Sequence, residues 1–79
     1  MPYEIRRVSE FATEGRRQVQ NVRNALREIE RRRSALGGDF MNEQRFRKPA
    51  GDVKQMVADI ERAVQKLSSS LDEIERLTR

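Results

Sequence analysis

Few side chains in this 79-residue chain are equipped for chemistry, because it contains neither His nor Cys. What remains is an acidic group, Asp72, Glu73 and Glu75, the run Ser68-Ser69-Ser70, the triplet Arg31-Arg32-Arg33 and the pair Gly37-Gly38. Paired carboxylates could divide general acid and base work, and a Ser could act as nucleophile if a Lys or a carboxylate took its proton. Either requires side chains gathered out of water, whereas these Ser and Glu residues fall on the outer face of a helical pattern, where acids are ordinarily solvated. Gly37-Gly38 is too short for a phosphate-binding loop and follows no strand. The usual nitrogen and sulfur ligands of zinc are missing. The expectation is therefore a protein that is not an enzyme, with no catalytic, cofactor-binding or metal-binding residue.

The stronger signal lies in the spacing of apolar residues, which sets the elements that would position anything else. Steps of three and four run through Ile5, Val8, Ala12, Gly15, Val19, Val22, Leu26, Ile29, Arg33, Leu36 and Phe40. They resume through Val53, Val57, Ile60, Val64, Leu67, Leu71 and Ile74, widened by Met56, Ala63 and Leu77. Such spacing is the heptad pattern of paired helices. Pro2 suits a first helical turn and Gly37-Gly38 suits a C-terminal cap, so helix 1 is expected over about 3–36. Residues 37–51 form the connection, and Asp52 after Gly51 is a good N-cap for helix 2 over about 52–78. Asp72 with Arg76 and Glu75 with Arg79 are favourable i,i+4 pairs there, while Ser68-Ser69-Ser70 make that helix depend on packing.

These elements predict an all-α fold: a single domain over 1–79, an antiparallel two-helix hairpin with left-handed coiled-coil packing. Zipped about the connection, facing residues should have numbers summing to about 89, as in Leu36 with Val53, Ile29 with Ile60, Val22 with Leu67 and Gly15 with Ile74. The expected hairpin core is Val22, Leu26, Ile29, Leu36, Val53, Ile60, Val64, Leu67 and Leu71. A domain this small rarely stabilises itself from one core, and without Cys there is no disulfide to help, so completion by oligomerisation is expected. In that register residues before about Phe11 have no in-chain partner. Tyr3, Ile5, Val8 and Phe11 are thus candidate partner-binding residues. Phe40 and Phe46, apolar for a connection, either fold over the hairpin tip or anchor another protein. Arg33 interrupts the seam opposite Val57 and is read as snorkelling or pairing with an acid of a partner helix.

Net charge is +4, with nine basic and five acidic residues over 1–36 against five and six over 52–79. The signs are mixed along the helices, the pattern of a solvated face, and one Tyr with three Phe gives no stacking platform for single strands. Nucleic acid is therefore not the expected partner. No run is long enough for a membrane span, and 1–10 lacks the apolar core of a secretory signal. A helical protein partner, a second copy or a different chain, is expected instead.

Two long amphipathic helices around an aromatic-containing connection, without Cys, resemble the small helical-hairpin proteins of type VII secretion. The stretch GGDFMNEQRFRKPAGDVKQMVADIERAVQKL is similar to the loop and second helix of WxG-like accessory hairpins that dock on LXG-type toxins. The chain departs from that family in lacking Trp, unless Gly37-Gly38-Asp39-Phe40 replaces the WxG turn, and in having no YxxxD/E export signal after helix 2. The resemblance implies a partner or chaperone of a larger helical substrate, cytoplasmic or exported by that non-classical route together with its partner. Two other functions fit the residues: a structural subunit of a helical filament or coiled-coil assembly, and a small basic nucleic-acid-binding protein.

Overall fold

The computed structural model describes residues 4–79, all-α, in three helices: α1 (Ile5–Ala35), α2 (Gly37–Asn42) and α3 (Gln44–Leu77). Tyr3 and the expected helix start beside it lie outside the described residues. α1 opens where Glu4, in extended backbone, offers its carbonyl to the N–H groups of Arg7 at 3.1 Å and Val8 at 3.2 Å. It closes before Gly37, whose φ of +78° lies in the left-handed region that side chains with a Cβ avoid.

Two helices were expected, and there are three. The connection assigned to 37–51 is almost wholly helical, broken only around Leu36 and at Glu43, whose extended backbone starts α3 by accepting from Phe46 and Arg47 N–H at 3.0 and 2.8 Å. α3 thus begins at Gln44 rather than Asp52. Asp52 is no cap; its carboxylate accepts from Lys48 Nζ at 3.2 Å within the helix. Pro49 and Gly51 are poor helix residues, and Pro49 leaves the carbonyl four residues earlier, on Arg45, without its usual donor. Tertiary packing overrides them. Ala50 is buried, and the rings of Phe40 and Phe46 meet at 5.5 Å between centroids, tilted by 33°.

α1 and α3 lie side by side and run antiparallel: Arg16 near the start of α1 reaches Asp72 and Glu75 near the end of α3, and Arg23 reaches Gln65. Ala12, Val19 and Leu26 of α1 are buried with Ala50, Val57, Val64 and Leu71 of α3, all at 7% exposure or less. Gly15, placed opposite Ile74 by the expected register, lies against Leu71 instead, and a Cβ on Gly15 would come within 3.0 Å of a Leu71 methyl. The core is also narrower than expected. Leu26, Val64 and Leu71 are in it, whereas Val22, Ile29, Leu36, Val53, Ile60 and Leu67 are 41 to 60% exposed.

Replacing Pro49 by Ala restores a helical N–H at the cost of a less constrained unfolded chain. The helix gain of about 3 kcal/mol, less up to about 1 kcal/mol for the unfolded state, predicts a P49A variant more stable by roughly 2 to 3 kcal/mol. Urea unfolding followed by circular dichroism reads this directly, and a lower midpoint would refute the account of how α3 begins.

Candidate functional site

The arrangement of the two flanks follows from where the buried line runs. In an α-helix the residue three positions on lies about 60° to one side of a given residue, and the residue four on lies about 40° to the other. On α1 the third residues after Ala12, Val19 and Leu26 are Gly15, Val22 and Ile29; the fourth are Arg16, Arg23 and Glu30. On α3 the third residues after Ala50, Val57, Val64 and Leu71 are Val53, Ile60, Leu67 and Ile74; the fourth are Lys54, Glu61, Ser68 and Glu75. Because two antiparallel helices are related by a twofold axis, equal offsets fall on the same flank of the pair. One flank is therefore polar and the other apolar.

The polar flank is closed by side chains that cross between helices. Arg16 Nε lies 3.2 Å from Asp72 Oδ1 in an ion pair, a terminal nitrogen of Arg16 donates to Glu75, and Arg23 donates to Gln65 Oε1 at 2.8 Å. Asp72, expected to pair with Arg76, is thus taken across the interface, and Arg76 turns to Glu73. Glu75 holds Arg79 at 3.8 Å as expected, in addition to Arg16.

Among the described residues nothing closes the apolar flank. Val22, Ile29, Leu36, Val53, Ile60 and Leu67 line it, and Phe11 at 59% and Met56 at 60% exposure widen it on the two helices. Around the gap left by Gly15, Phe11, Val22, Leu67 and Leu71 border one groove. At the tip, Leu36, Phe40, Phe46, Pro49 and Val53 border another. Sixty-degree offsets on both helices leave these side chains half covered and contiguous along one flank, unlike scattered surface apolar residues.

The residues expected to bind a partner are distributed differently. Ile5 and Val8 do have in-chain neighbours, sharing a groove with Ile74 and Leu77, because the register sits about one turn closer than a sum of 89 allows. Phe11 belongs to the open flank. Phe40 and Phe46 pack on each other, and the Arg45 guanidinium lies 5.1 Å from the centre of the Phe46 ring, so the two rings act as one end piece. Arg33 finds its acid within the chain: Nη2 donates to Glu30 at 2.7 Å, and its side chain is 17% exposed beneath Met41. The flanks of the seam are also an expected partner surface, and the contrast between third and fourth positions decides which of the two stays open.

Elsewhere the charges are paired locally. Hydrogen bonds from Arg17 and Gln18 hold Glu14 down to about 2, and Arg partners likewise hold Glu28, Glu30 and Glu73 below the usual carboxylate value. Among the described residues no three acids are gathered to hold a metal, and no helix is long and apolar enough to cross a membrane. No protein-family model, curated protein or solved structure matches the chain.

Four carboxylates whose folded values lie below the ordinary 4.5 favour the folded chain only while ionised. Their contribution is complete above that value and is lost as pH falls through the lowered ones. Helix content should hold from neutral pH to near 4.5 and decline towards about 2, where Glu14 finally takes its proton. A far-ultraviolet circular dichroism titration checks this; helicity that increased on acidification would contradict it.

Proposed function

We propose that this chain is a non-enzymatic helix-docking module: an antiparallel helical hairpin with coiled-coil packing whose open apolar flank takes up helices of another polypeptide. The observation that carries the reading is the one-sidedness of the pair. The apolar residues left exposed at the third positions on α1 and α3 fall on one flank, while the opposite flank is closed by Arg16 and Arg23. A face of this kind recognises amphipathic helices through apolar anchors at helical spacing. The resemblance to accessory hairpins of type VII secretion gives such a partner a concrete form, a larger helical substrate of the LXG-type toxin kind that this chain accompanies as partner or chaperone.

Site-specific photocrosslinking in cells tests the docking role. A photoreactive residue in place of Ile60, on the open flank, should give protein adducts at least several-fold more abundant than one in place of Gln65, on the polar flank. Equal or absent adducts from position 60 would sink the reading. An adduct heavier than two copies of the chain would point to a different protein, whose sequence the crosslinked peptide identifies.

A further inference from the structure

We infer that the open flank is covered by a second copy of this chain, giving a four-helix bundle in which α1 of each copy lies against α3 of the other with both tips at the same end. The inference rests on the docking role proposed above and names the occupant.

Size is the first support. The molecule measures 59 Å by 17 Å along and across its face, about 1,000 Å² per copy, above the roughly 800 Å² that each partner gives to a stable interface. Burial is the second. Among the described residues only the small side chain of Ala12 falls below 2% exposure and no larger one does, so the pair of long helices has a seam but no enclosed interior. A bundle supplies one.

Orientation follows from layers and charge. A twofold axis along the rod keeps each residue at its own height, so Val22 of one copy falls between Leu67 and Ile60 of the other. Ile29 then falls between Ile60 and Val53, with Leu36 beyond Val53 towards the tip. The axis that instead points the tips in opposite directions stacks α1 on α1. α1 carries nine Arg against four Glu, whereas from Asp52 to Glu75 α3 has three basic residues against six acidic ones. Over that stretch like helices would repel and unlike helices attract, while the basic residues Arg45, Arg47 and Lys48 at the start of α3 lie outside it. The contact is isologous, each copy offering the same patch, and it closes on itself without leaving a face for growth into a fibre.

The absence of Cys allows clean disulfide mapping. Ala25 and Ala63 are exposed and lie on the outer halves of the open flank, on α1 and α3 respectively. When A25C and A63C chains are mixed, refolded and oxidised, the expected product is chiefly a disulfide joining one of each, and sedimentation equilibrium of the unaltered chain should give twice its 9.3 kDa mass. The thermal midpoint of the unaltered chain should rise with concentration. Disulfides joining A25C to A25C in place of the mixed species would overturn the orientation. A monomer mass at hundreds of micromolar with a concentration-independent midpoint would overturn self-pairing altogether. In that event adducts from position 60 would still uphold docking of a different helix, whereas their absence would remove both readings.

Discussion

Two rods laid side by side touch along one line, and this limit on what a pair of helices can bury organises the whole molecule. Each helix surrenders one residue per heptad to that line: Ala12, Val19 and Leu26 on α1, and Val57, Val64 and Leu71 on α3. The apolar stripe in the sequence is two residues per heptad wide, so a pair cannot consume it. What is left over is forced onto one side by helical geometry, and the open flank is the direct result of that surplus.

The polar flank shows how the side is chosen. Its ion pairs are half exposed, with the Arg16 side chain at 47%, and each contributes little to stability in water. Their effect is on specificity. An Arg on α1 placed at the fourth position, facing an acid or amide on α3, can be satisfied only if the two helices keep this rotation and register. Rolling both helices to bury Val22 and Ile60 would swing Arg16 away from Asp72 and Glu75 and carry Val19 and Val64 towards water. A weak but oriented set of hydrogen bonds thus holds the surplus apolar column outward.

The sequence made the helical class, the antiparallel direction and the Gly37 stop readable, since each rests on local chemistry: spacing, charge sign and a left-handed backbone. Register was less readable, because the expected pairing set Val22, Ile29 and Leu36 at the core against Leu67, Ile60 and Val53 and left out Ala12, Val19 and Val57, which form the buried line. Pro49 and Gly51 misplaced the start of α3 for a different reason. Helix propensity is a local preference of a few kcal/mol at most per residue, and the contact of Phe46 with Phe40, together with burial of Ala50, is a non-local gain that no window around Pro49 contains. The open flank lay between these cases. The column Arg16, Arg23, Glu30 beside the column Gly15, Val22, Ile29 already separated a closing side from an open one, but only knowledge of which column is buried turns that contrast into a surface.

Arg33 marks where the seam gives way to the tip. It stands in the column of Ala12, Val19 and Leu26, yet its guanidinium is neutralised by Glu30 one turn earlier and covered by Met41, so its stem serves as the apolar filling. Ala50, the smallest side chain of the α3 line, borders the same groove, and the two sizes complement each other. Gly15 against Leu71 repeats that match of small with large towards the other end. The middle of the pair, where Val19 packs against Val64, is the stretch in which neither side compensates for the other. A seam tuned at both ends by size, and interrupted by a charge satisfied within its own helix, fixes how far α1 and α3 can slide. With sliding fixed, Val22, Ile29 and Leu36 alternate with Leu67, Ile60 and Val53 along the rod, and the open flank is presented as an ordered series instead of a shifting apolar strip.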